Sequence, residues 1–109
     1  MLFRSLHHVL LNLLTNAADA VTEKEDPRII ISITHSPPWV KIKVDDNGIG
    51  ISESEKKHLF KPFFTSKAKG TGLGLVIVKK MLMKMNGSIT IQSDTNFGTT
   101  VNVSLPENQ

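Results

Sequence analysis

Two glycine-rich segments carry most of the chemistry this chain can do. They are Asp46-Asn47-Gly48-Ile49-Gly50 and Gly70-Thr71-Gly72-Leu73-Gly74-Leu75, and both follow two asparagines spaced one helical turn apart, Asn12 and Asn16. Glycines separated by single residues let a backbone approach a ligand where a Cβ would collide, and their N–H groups can face phosphate oxygens. Asp46 stands just ahead of the first glycine pair. An ionised carboxylate only accepts hydrogen bonds, so it suits the exocyclic amine of adenine and disfavours the carbonyl that guanine presents there. An Asx-turn is the alternative reading of Asp-Asn-Gly. Asn12 and Asn16 offer amide oxygens, acceptable hard ligands for Mg²⁺ when triphosphate oxygens and water complete the octahedron; ordinary surface polarity at a helix edge is the alternative. Gly70, Gly72 and Gly74 lead into a helix, whose first N–H groups and dipole favour phosphate. The Gly-Lys-Ser/Thr ending of a P-loop is absent, and a Rossmann turn is excluded because these glycines follow a loop and not a strand. Lys67, and after it Lys69, are the candidate mobile phosphate contacts, against the reading of both as solvated loop lysines.

The elements that must position these residues are visible in the hydropathy pattern. Residues 5 to 21 read as a helix, with Leu6, Val9, Leu10, Leu13, Ala17 and Ala20 at three- and four-residue steps. Asn12 and Asn16 fall along one border of that stripe. Asp26-Pro27 closes the helical region. Residues 28 to 35 and 40 to 45 then read as strands joined through Ser36-Pro37-Pro38, and Val40, Ile42 and Val44 alternate with Lys41 and Lys43, giving one buried and one wet face. Asp46 therefore sits at a strand's end. Ser52 and Glu55 form a capping box that opens a short helix reaching about Leu59 or Phe60. Residues 65 to 70 are expected to be a lid, mobile in the empty protein and ordered over phosphates. A second long helix runs from Leu73 to Met85, with Gly87 as its expected stop. Residues 88 to 93 and 99 to 105 read as a hairpin. Strands sharing a sheet with helices on one face make a two-layer α/β sandwich.

The 109 residues suit one domain, residues 1 to 109, and 39% hydrophobic content supplies a single modest core. No apolar run approaches the roughly 18 residues that cross a bilayer, so direct membrane insertion of this domain is not expected. The absence of cysteine excludes a disulfide framework and a thiolate metal site. The net charge of +3 is spread without an aromatic-interleaved basic stripe, so nucleic acid is not an expected partner.

The order of these segments resembles the ATP-binding catalytic domain of bacterial sensor histidine kinases, part of the wider ATPase group that includes gyrase B, the Hsp90 chaperones and MutL. His8 to Ala20 is similar to the family's N box, Asp46 to Ile51 to its G1 box, Leu59-Phe60-Lys61-Pro62-Phe63-Phe64 to its F box, Gly70 to Leu75 to its G2 box, and Gly98-Thr99-Thr100 to its G3 turn. The resemblance implies a Bergerat-type fold with a mixed sheet, Mg-ATP as ligand, and a cytoplasmic domain. It implies Asn16 as the usual Mg²⁺ ligand with Asn12 assisting, Asp46 on the adenine amine, and Gly48, Ile49, Gly50, Ile51, Phe63, Lys67, Gly70, Thr71, Gly72, Leu73, Gly74, Leu75 and Thr99 around the nucleotide. The partner it implies is a dimerisation and histidine phosphotransfer domain that carries the acceptor histidine, and indirectly a response regulator. Hydrolytic relatives carry a glutamate at the Asn12 position. An amide cannot act as a general base, which favours phosphoryl transfer over hydrolysis.

The chain departs from the family pattern at Asp19, where a basic residue is common, at Thr65-Ser66-Lys67, where an Arg often follows the F box, and at His8, where Gln is frequent. The family's first strand lies ahead of the N box and little remains here to form it, so Met1 reads as a fragment boundary. His7, His8, His35 and His58 lie in no acceptor motif. An anti-sigma-factor-like serine kinase of the same fold and a nucleotide-binding module without transfer activity are the alternative readings.

Overall fold

The computed structural model describes residues 2–58, 74–94 and 97–107. The described elements are α1 (Leu2–Ala20), β1 (Ile29–Ser36), β2 (Trp39–Asp46), α2 (Glu53–Lys56), α3 (Gly74–Lys84), β3 (Ser88–Asp94) and β4 (Gly98–Pro106). The strands form one sheet in the order β1-β2-β4-β3.

All three pairings are antiparallel, so the sheet of the described strands is not the expected mixed one. The reason lies in where the chain returns. β2 and β3 point the same way, because both run antiparallel to β4, but β4 inserts between them and no parallel ladder forms.

Period-two alternation sorts the sheet into two faces. On the inner face Ile42 and Val44 of β2 and Val103 and Leu105 of β4 meet Val9, Leu13 and Ala17 of α1 and Val78 and Leu82 of α3. Val9, Val44, Val78, Leu82 and Val103 are at most 1% exposed, and burying a side chain of this size contributes about 1.5–3 kcal/mol. The middle of the outer face is polar, with Ser32, Lys43, Asn102 and Thr90 in one cross-strand row and Thr34, Lys41, Ser104 and Ser88 in the next. The wet face expected of Lys41 and Lys43 is therefore the middle of the outer surface of the sheet, with Ile30 and Trp39 exposed on the same face.

α1 lies over β2 and β4, and α3 over β3. β1 extends past this cover. Ile31 and Ile33 stand opposite Val44 and Ile42 on the inner face, yet they are 47% and 68% exposed.

The end of α3 differs from expectation. Asn86, not Gly87, takes the left-handed conformation, with φ of 59°. Gly87 N–H donates to Leu82 O and Asn86 N–H to Met83 O, the two bonds of a Schellman cap. Asn tolerates this backbone because its short polar side chain clashes little. At α2 the expected capping box is formed in full by Ser52 and Glu55, and the described helix is a single turn.

Candidate functional site

Asp46 ends β2 on the inner face, beside the end of α1. Its Oδ1 accepts from Gly48 N–H at 2.9 Å, and its carboxylate also accepts from Thr99 N–H. Partial burial raises its pKa above 3.8, these two N–H bonds oppose the rise, and Asp45 next to it adds to it. The site therefore holds a half-buried carboxylate with two donors of its own and remaining acceptor capacity. The turn reading and the ligand reading coexist: the Asx-like bond to Gly48 fixes the carboxylate without consuming it.

The loop after Asp46 is fastened at three points. Asn47 Oδ1 accepts from Arg28 N–H at 2.8 Å, and Asn47 Nδ2 donates to Asp26 O at 2.7 Å, tying the loop to the connection between α1 and β1. Ile49 N–H donates to Ala20 O at 3.1 Å, tying it to α1. Ile51 N–H donates to Ser93 Oγ at 2.7 Å, tying it to β3. Gly48 is required by close approach: a Cβ there would lie 2.5 Å from Ala20 O and 2.7 Å from Ala20 C. Gly98 is required by both space and conformation, with φ of 109° and a Cβ position 2.1 Å from Asp46 O. Gly50 has φ of 73°.

This fastening places the asparagines. Ala20 touches the loop, Asn16 precedes it by about 6 Å along the α1 axis, and Asn12 by about 12 Å, at the 1.5 Å rise of an α-helix. Both are half-buried. Asn12 Nδ2 donates to His8 O at 3.0 Å, which fixes the amide and turns its oxygen away from that bond. The carboxylate and the two amides thus form a progression along α1, from Asp46 outward.

The structure brings Asp46, Gly48, Ile51 and Thr99 into one hydrogen-bonded network and sets Ile49, 54% exposed, at its rim. Leu75, in the first turn of α3, packs on the core. Gly74 opens α3. Phe63, Lys67, Gly70, Thr71, Gly72, Leu73 and the expected lid lie outside the described residues. Among the described residues no cluster of His, Cys, Asp or Glu could hold a metal by itself. The donor set fits a cation that arrives with most of its own oxygen ligands, as Mg²⁺ does on a triphosphate.

Sequence reasoning missed Asn47 and Ser93. Asn47 was readable as the middle of Asp-Asn-Gly, a segment that caps and turns. Ser93 was readable only through register, since it stands opposite Thr99 across the β3–β4 hairpin.

The chain is similar in sequence and fold to known proteins. The family model described as histidine kinase-, DNA gyrase B- and HSP90-like ATPase matches residues 2–109. The chain is 42% identical over 101 residues to sporulation kinase D of Bacillus subtilis (strain 168), covering 93% of this chain and 20% of that protein. It is 40% identical over 103 residues to the signal transduction histidine-protein kinase AtoS of Escherichia coli (strain K12), covering 94% of this chain and 17% of that one. The solved catalytic domain of histidine kinase ThkA superposes with a TM-score of 0.81 at 33% identity, covering 95% of this chain and 67% of that one. The chain therefore spans about a fifth of the length of these curated relatives.

Proposed function

Because the chain belongs to the histidine kinase-, DNA gyrase B- and HSP90-like ATPase family, we propose that it binds Mg-ATP and presents the γ-phosphate to a histidine on a separate dimerisation and phosphotransfer domain of a sensor kinase. One observation carries the nucleotide assignment: Asp46, fixed by Gly48 and Thr99 N–H groups, lies at the end of β2 where α1 begins its line of amides. In this reading the carboxylate accepts from the adenine amine. The Asn16 and Asn12 oxygens face the triphosphate side, and Mg²⁺, when bound there, neutralises phosphate charge. Lys67 and the Gly70 to Gly74 segment would meet the terminal phosphates, as the resemblance of their sequence implies. Phe63, Thr71, Leu73 and Leu75 would border the same site.

Phosphoryl transfer asks the protein mainly to position and neutralise. Asn12, an amide whose nitrogen is committed to His8 O, prepares no water nucleophile. This supports transfer to another acceptor over hydrolysis. The acceptor domain and a response regulator downstream complete the proposed cycle, in a cytoplasmic setting.

The test is to mix this chain with separately made histidine-containing dimerisation domains and follow label from γ-labelled ATP. Label on the histidine of the added domain is the expected result. Label on serine, or none at all, overturns the assignment.

A further inference from the structure

Ser93 is the buried polar residue at the junction of three segments, 8% exposed. Its hydroxyl has one proton and two lone pairs, and the structure uses all three. Ile51 N–H donates to Ser93 Oγ at 2.7 Å, Ser93 Oγ donates to Gly98 O at 2.9 Å, and Thr99 Oγ1 lies 2.8 Å away. A backbone carbonyl only accepts, so the Ser93 proton is committed to Gly98. A backbone N–H only donates, so it fills one lone pair. The contact with Thr99 must then be donated by Thr99. Its hydroxyl proton points at Ser93, and only lone pairs remain for anything else that meets Thr99 Oγ1.

Thr99 stands opposite Asp46 in the β2–β4 register and on the same inner face. With its proton held by Ser93 it joins Asp46 as a second acceptor-only group at that end of the sheet. Adenine presents an amine there, and guanine a carbonyl that needs a donor. We infer that Ser93 is a positioning residue for base choice: by holding the Thr99 proton and the Ile51 end of the glycine loop, it keeps Thr99 from serving as a donor for guanine. This rests on the adenine reading of Asp46. The assignment concerns the direction of one hydroxyl, a property that burial or packing alone would not fix.

The experiment is calorimetric titration of wild type, Ser93→Ala, Thr99→Val and the double variant with Mg-ATP and Mg-GTP, each protein checked for folding by circular dichroism. In Ser93→Ala the Thr99 hydroxyl is free to donate, so the preference for ATP over GTP is expected to fall about tenfold, the factor worth one ordinary hydrogen bond. Any gain in GTP binding should vanish in the double variant. A residue that merely supports the fold would weaken both nucleotides alike, and an unchanged ATP-to-GTP ratio overturns the inference. If Ser93→Ala does not fold, Ser93→Cys, with a similar shape and a much weaker donor, carries the same expected and overturning results. Wild type that binds neither nucleotide would overturn the adenine reading itself, and the role of Ser93 with it, a result distinct from an unchanged ratio.

Discussion

Asp46 is held in an environment that partly works against its charge. Burial raises its pKa, and the Gly48 and Thr99 N–H groups recover only part of that rise. A carboxyl whose folded pKa lies above its unfolded value favours the fold when protonated. Its contribution is complete below pH 3.8 and is lost as pH rises through the raised value, so the ionised form at neutral pH is a cost that stability carries for the site. Binding has the opposite sign, since only the ionised form offers its full acceptor capacity to an amine. Replacing Asp46 by Ala should weaken Mg-ATP by about 1.5–3 kcal/mol, the worth of a hydrogen bond to a charged group; equal affinities in calorimetry would remove Asp46 from the site. The Asp46-dependent part of ATP affinity, measured against Asp46→Ala at each pH, should decline on acidification before pH 3.8 is reached. Asp46 was legible in the sequence because its chemistry is local, an acceptor-only group beside paired glycines. Ser93 was not, because a serine means little until the β3–β4 register sets it against Thr99.

At the scale of elements, the join between α1 and the glycine loop is the contact on which the site depends. Gly48→Ala would drive a methyl against backbone atoms of Ala20 at 2.5 and 2.7 Å, and neither neighbour is a side chain that can swing aside. Overpacking of this kind costs about 1–3 kcal/mol. Thermal unfolding should show the loss, and ATP binding should fall further than stability because the helix and loop must separate; a variant with unchanged melting and affinity would show that the join is looser than this. β1 is the other element with a consequence, since an edge strand with exposed isoleucines invites pairing with other chains. Ile33→Lys should reduce concentration-dependent self-association in sedimentation while leaving Mg-ATP affinity alone, and unchanged association would place the sticky surface elsewhere. Periodicity made α1, β2 and α3 legible, because each buries one face against the sheet or the helices. The strand order was not legible: the insertion of β4 between β2 and β3 is a long-range choice, and a helical crossover by itself suggests a parallel neighbour. The cap at Asn86 escaped for a smaller reason, that Gly87 beside it is the commoner left-handed residue.

At the scale of the whole molecule, labour is divided between one end of the sheet and the core packed on its inner face. The end of β2 and the start of β4 hold the network around Asp46, while the core of α1, α3 and the central strands holds that network in place. Among the described residues no helix is long and apolar enough to cross a membrane. The four histidines lie on α1, on β1 and after α2, and are not among the residues that make up this network. His7 and His8 are exposed on α1, His35 pairs with Glu107 at the far end of β1, and His58 follows α2. The chain incubated alone with γ-labelled Mg-ATP should therefore gain no stoichiometric acid-labile label, and hydrolysis should be slow because Asn12 supplies no base. Failure to bind would give the same blank result, so the measurement needs a companion. A ligand that binds only the folded state at a concentration 100 times its Kd stabilises by about 2.7 kcal/mol, which appears as a higher melting temperature. A raised melting temperature with no label is the expected pair of results. Stoichiometric label on His7, His8, His35 or His58 would mean that this chain contains its own acceptor, and the division between a nucleotide-holding domain and a separate histidine would have to be abandoned.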